Sequence, residues 1–165
     1  MSDAASPSKA IWSEADFDQM GWHDVHVRAL AFDPERFELL FDIDYILEWI
    51  HPAAGERSFT FRLAPATLIF TNVHEIRFDV SSRGDLEIDA FTRSDATSPR
   101  NAAYLSNKIE WVWTLQCQEG VISFRSVGFT MRLRRPAVLT SAQQLLLSER
   151  GGFSFDRADA TTQNV

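Results

Sequence analysis

Apolar and polar residues alternate along most of the chain, and the clearest run is Phe41-Asp42-Ile43-Asp44-Tyr45-Ile46-Leu47-Glu48-Trp49. Phe41, Ile43, Tyr45, Leu47 and Trp49 recur at a period of two, which places them on one side of an extended strand. Asp42, Asp44 and Glu48 then fall on the other side, with Ile46 among them. The pattern predicts a central strand over about 37–50, its large apolar residues inward and its acids facing water.

The rest of the chain is organised around that strand. Ser13 with Asp16 three residues on forms a helix-starting box, and Gly21 closes a short helix carrying Phe17 and Met20. Val25, Val27, Ala29 and Ala31 alternate with His26, Arg28, Leu30 and Phe32, and Asp33-Pro34-Glu35-Arg36 supplies a turn. These features predict a hairpin leading into the central strand. Alternation returns at 57–63, at 66–72 beyond Pro65, at 74–80 and at 86–92, with a turn over 81–85. Ser94–Asn101 has loop composition. In the next strand Ile109, Trp111, Trp113, Leu115 and Cys117 share a face; Gln118-Glu119-Gly120 reverses the chain, and 121–134 returns with a bulge or bend at Gly128. Ser141 and Gln144 start a helix that Gly151-Gly152 ends, and Phe153–Phe155 adds a last short strand. The expected fold is mainly β, an antiparallel β-sandwich or partly open barrel of about eight or nine strands with one or two short helices. It forms one domain over 11–155, between disordered tails at 1–10 and 156–165.

Composition narrows the function. The net charge of −7 argues against nucleic acid as a partner, since phosphate binding needs a basic face. Cys117 is the only cysteine, which excludes an intrachain disulfide and a multi-thiolate zinc site. The first ten residues lack the apolar stretch of a signal peptide, and no apolar run is long enough for a membrane helix. A cytoplasmic protein with no membrane association is expected, and nothing in the chain calls for a cofactor.

Phosphate loops, nucleophile elbows, HExxH and CxxC are all missing from the chain. Asp42 and Asp44, two apart on a strand, have a spacing compatible with acid/base work on a glycosidic bond or with a hard metal ion. Acids on a wet strand face equally serve to discourage edge pairing. His23 beside Asp24 suggests a base with its orienting carboxylate; on a strand, however, the two point apart, and His23 and His26 face opposite sides. Charge is uneven. Residues 33–56 carry seven acids and one arginine, whereas 121–136 carries Arg125, Arg132, Arg134 and Arg135 and no acid. Those segments either pair across strands or leave a basic patch. Trp111 and Trp113 either fill the core or line a ligand cavity.

Gly21-Trp22-His23-Asp24, Leu39–Ile46, Ser123–Phe129 and Glu149-Arg150-Gly151-Gly152 together resemble a family of uncharacterised bacterial cytosolic β-rich proteins, over roughly residues 20–156. That family has no established activity, so the resemblance assigns no catalytic residue. The Trp-His-Asp opening is also similar to small immunity proteins of bacterial toxin systems. The reading that results is a non-enzymatic binding domain for a protein partner or small ligand. Its candidate binding residues are Asp42, Asp44, Glu48, His23, Asp24 and Arg125, and no metal site is assigned. The alternatives are a carbohydrate-type hydrolase or lyase using Asp42 and Asp44, and a ligand-binding barrel.

Overall fold

A computed structural model of the chain describes residues 9–158. Ten strands form one open sheet: β1 (Ile11–Ser13), β2 (Val25–Asp33), β3 (Glu38–Ile50), β4 (Thr60–Thr71), β5 (His74–Val80), β6 (Glu87–Thr97), β7 (Glu110–Cys117), β8 (Gly120–Ser126), β9 (Gly128–Leu133) and β10 (Val138–Thr140). All pairings are antiparallel, in the order β1-β9-β4-β3-β2-β6-β7-β8-β5, with β10 also on β4. Helical structure is limited to two 3-10 segments and the single turn α1 (Leu147–Arg150). The expected mainly antiparallel β architecture is the one observed.

Strands β8 and β9 are consecutive in sequence but lie far apart in the sheet, so the sheet curls back on itself. Gly128, at φ 146°, makes the corner between them in a conformation that side-chain-bearing residues avoid. Phe70 of β4 therefore meets Trp113 of β7 at 5.4 Å and Phe124 of β8 at 4.7 Å between ring centroids. Phe41, Phe70, Trp113 and Phe124 are buried to 1% exposure or less and fill the concave side. The cavity that a ligand-binding barrel needs is occupied by rings. Trp113 is core, as one of its two expected uses requires, whereas Trp111 is only partly buried against it.

Several boundaries differ from expectation for identifiable reasons. Pro65 does not divide two strands: β4 runs through it opposite Asp44. The Pro65 carbonyl accepts from Arg134 N–H, so its missing donor faces the gap where β9 gives way to β10, and no rung to β3 is lost. The expected loop 94–101 is strand as far as Thr97, with a register shift after Ser94. The helix expected from 141 shrinks to Leu147–Arg150, ended by Gly151 at φ 76°. Residues 154–158, expected as strand end and tail, are irregular but held: the Thr67 hydroxyl donates to the Asp156 carbonyl at 2.7 Å, and Arg157 pairs with Glu38. Residues 1–8 and 159–165 of the expected tails lie outside the described residues. The helix at 14–19 has the expected box, with Ser13 Oγ accepting from Ala15 N–H and Asp16 accepting from Ser13 N–H.

The largest correction concerns the central strand. Phe41, Ile43 and Tyr45 do point into the core, but Asp42 and Asp44 are 0% exposed. The face expected to be wet is covered by the irregular segment 141–158. In addition, β3 carries a bulge between Ile46 and Glu48, where Leu47 is the extra residue. One inserted residue exchanges the faces beyond it. Trp49 therefore lies opposite Phe61 on the Asp42/Asp44 side, and Glu48 leaves that side to pair with Arg62 at 3.1 Å.

Candidate functional site

The expected acidic row breaks into separate pieces. Asp42 and Asp44 are gripped by Arg150, which arrives on α1 and uses all five of its N–H donors. Its Nε donates to Asp44 Oδ1 at 2.9 Å; Nη1 donates to Asp42 Oδ2 at 2.8 Å and to the Gly152 carbonyl at 2.6 Å. Nη2 donates to Asp42 Oδ1 at 2.5 Å and to the Ile43 carbonyl at 3.3 Å. Arg134 adds a second bond to Asp42 Oδ1 at 2.6 Å and one to Thr67 at 2.9 Å. Backbone N–H groups of Ser154 and Leu145 complete the two carboxylates. Among the described residues the only buried side-chain N or O without a partner is Trp22 Nε1, so the clasp is fully satisfied.

Burial pushes the Asp42 carboxyl up, but the bonds from Arg150, Arg134 and Ser154 outweigh it and hold the group below its ordinary value. Arg150 is correspondingly raised: burial opposes its charge, and Asp42 and Asp44 more than compensate. With both carboxylates fully buried, every oxygen hydrogen-bonded and Arg28 a further 3.6 Å from Asp44 Oδ2, these acids have no access for a substrate and cannot serve as a hydrolase pair or a docking face. They anchor the covering segment. The acidic 33–56 and basic 121–136 segments meet here through Arg134, which reaches Asp42 across β4.

His23 and Asp24 belong to a different arrangement. The strand starts at Val25, so His23 and Asp24 are not part of it, and Asp24 sits just before it with φ 63°. That left-handed residue brings the two side chains together, with His23 Nδ1 2.7 Å from Asp24 Oδ1, instead of apart. His23 Nε2 lies 3.3 Å from Asp89. On the next strand residue of that face, His26 is 4% exposed, with Nδ1 at 3.1 Å from Asp85 Oδ1 and Nε2 at 3.7 Å from Glu87 Oε2. Register explains the grouping: His26 stands opposite Asp44 on one side and Glu87 on the other, and directly opposed residues share a face. Nothing in the local pattern marked Asp85, Glu87 and Asp89 as site residues. They come from β6 and the turn before it, about 60 positions from His26 in the chain, and only strand order unites them.

Four carboxylates thus converge on two histidines, and among the described residues none of the four has a lysine or arginine within 4.0 Å. The crowding is visible in Glu87, whose carboxyl is pushed up by burial and by the neighbouring Asp24, with His26 opposing. Donor atoms of His26, Asp85 and Glu87 lie within 4.8 Å of one another and include the types a divalent ion takes. The two carboxylates, however, address opposite nitrogens of one ring. That geometry sets one imidazole ring between two acids rather than focusing three ligands on one ion.

An aromatic surface adjoins this cluster. His23 packs edge-on to Trp49 with centroids 6.2 Å apart, Trp49 meets Phe59 at 5.8 Å, and His51 lies over Phe59 at 4.9 Å. Trp49 is 39% and Phe59 36% exposed. Arg125, the remaining expected site residue, lies elsewhere and bonds Glu75 at 3.3 Å, with Glu110 at 3.8 Å. Cys117 is buried, and burial together with Glu119 pushes its thiol up to about 12, which makes it a poor nucleophile.

Comparison of the chain with protein-family models, curated proteins and solved structures finds no match. No helix among the described residues is long and apolar enough to cross a membrane.

Proposed function

We propose that the protein is a non-enzymatic binding domain, acting in the cytoplasm, whose docking surface is the joined acidic and aromatic face around His23. One observation carries this reading: Asp24, Asp85, Glu87 and Asp89 cluster with no arginine or lysine among the described residues within ion-pair distance. Acids elsewhere in the sheet, such as Asp42, Glu38, Glu48 and Glu110, have an arginine beside them. A surface with uncompensated negative charge beside exposed Trp49 suits a protein presenting arginine or lysine next to an apolar side chain. The charge speeds encounter, and the ring supplies buried area and a cation–π seat. This is the binding mode of an immunity-like protein, moved from Asp42 and Asp44 to residues on the surface.

The test begins with affinity capture from the native host and reconstitution of the captured protein in purified form. Asp89→Lys and Trp49→Ala should each weaken binding at least about tenfold, roughly 1.4 kcal/mol, at an unchanged denaturation midpoint. Association should also slow as salt rises. Equal affinity of wild type and both variants would remove this face as the interface.

A further inference from the structure

At the opposite end of β2, three loops close around a pocket of about 240 Å³ lined by Phe37, Asn72, Val73, His74, Arg100 and Asn101. It lies apart from the acidic cluster, because Phe37 follows the last residue of β2 and His26 is near the first. We infer that this pocket is a second binding site, for a small carboxylate carrying an apolar or aromatic body.

Its construction is that of a held site. Phe37 and Asn72 both have left-handed backbone, at φ 56° and 53°, and neighbouring Glu75 shares that conformation at φ 53°. A bulky residue with positive φ is a true outlier, and such strain gathers at ligand sites. The strain at Phe37 does not serve the core, since its ring is 67% exposed on the pocket rim. The loops are locked to each other. Val73 N–H donates to the Phe37 carbonyl at 2.9 Å, and the Asn72 and Asn101 amides exchange bonds at 2.8 and 3.2 Å.

The charge of the pocket selects an anion. Arg100 lines it and makes no hydrogen bond or ion pair with any described residue. Beside it, the His74 ring is fixed from beneath by Glu110, whose Oε2 is 2.8 Å from Nε2 and which is itself only 6% exposed. A carboxylate only accepts, so Nε2 donates to Glu110, while Nδ1 lies 3.9 Å from Glu75 Oε1. Thr97 at 3.4 Å and Arg125 at 3.8 Å hold the other oxygen of Glu110. Glu110 and Glu75 both have Arg125 beside them, so among the described residues Arg100 is the pocket-lining cation without a carboxylate partner. Phe37 and Val73 add an apolar wall, and the volume is below the roughly 300–1,000 Å³ of drug-sized sites. A small, singly charged carboxylate fits both.

The experiment is a titration of the full chain with benzoate followed by amide NMR, with benzamide as neutral isostere and inorganic phosphate as bare anion. Saturable shifts should appear at Val73, His74 and Asn101 with benzoate. Benzamide and phosphate should each bind at least tenfold more weakly, and Arg100→Gln should remove the preference for benzoate over benzamide. Arg100 is exposed and makes no hydrogen bond or ion pair with a described residue, so that variant should keep the fold. The inference fails if benzoate shows no saturation by about 10 mM, if benzamide or phosphate matches it, or if Arg100→Gln binds benzoate as wild type does. Either result leaves the surface around His23 untouched.

Discussion

Asp44, His26 and Glu87 stand in one line across β3, β2 and β6, yet the two acids in that line have opposite fates. Asp44 and its neighbour Asp42 are closed over by the C-terminal segment and matched by Arg150 and Arg134. Among the described residues, Glu87 and its neighbours have imidazoles rather than arginines beside them, with Gln143 Nε2 donating to Asp24 at 2.6 Å and Leu86 N–H to Asp85 at 3.0 Å. Burial alone does not separate the two groups, since His26 and Asp24 are also buried. The difference lies in who supplies the cation. Where arginines of the chain lie against the carboxylates, the acids are structural; where none arrives, their charge is left uncompensated by the chain's own arginines, which is the feature the proposed docking surface uses.

The sharpest way to break this contrast is to withdraw the arginine. Arg150→Ala leaves two carboxylates buried without their main partner, a change that costs about 3–5 kcal/mol in comparable buried pairs. It should also free residues 141–158, so that amide exchange rises there before the sheet opens. Arg150→Lys keeps the charge but offers three donors in place of five, and its denaturant midpoint should fall between wild type and Arg150→Ala. If Arg150→Ala leaves the midpoint unchanged, the clasp is not what holds the segment down.

Acid should reach the same clasp more gradually. Because the folded Asp42 carboxyl lies below its ordinary value of 3.8, its contribution is complete above that value and is lost as pH falls through the lower folded one. Urea midpoints should therefore drop steeply below about pH 4, and Asp42→Asn, already destabilised at neutral pH, should show a shallower drop. An equally steep drop in the variant would assign the acid sensitivity to other carboxylates.

The inner half of this structure was legible in the sequence and the outer half was not. Phe41, Ile43, Tyr45, Trp113 and Leu115 revealed the core because period-two burial is a local property. The 33–36 turn, the Ser13 box and the Gly128 corner were equally local. What failed needed long-range knowledge. An alternating acid reads as solvent-facing unless one knows that Arg150, more than 100 positions away, returns to cover it. Phase errors at Trp49 and Glu48 came from one bulge residue, Leu47, that no composition signal marks. His23 and Asp24 were expected to point apart, because the positive φ of Asp24 was hidden in an apparently regular strand.

The smallest effect expected is also the one that tests the open side of the comparison. Glu87 titrates above its ordinary value of 4.5, chiefly through burial and then through Asp24. A raised carboxyl has the opposite consequence to Asp42: its folded form favours the proton, so stability is present at low pH and declines as pH rises through the folded value. Glu87→Gln replaces the acid by a neutral group of the same shape. At neutral pH it should leave the protein as stable as wild type or more so, by under about 1 kcal/mol, and it should remove that decline. Loss of stability instead would mean that Glu87 is needed to hold His26 in place, as Asp42 holds Arg150, and the two acid groups would then be structural alike. A gain would show that the chain keeps this carboxylate at a cost to its own fold, which is what a surface reserved for a cationic partner requires.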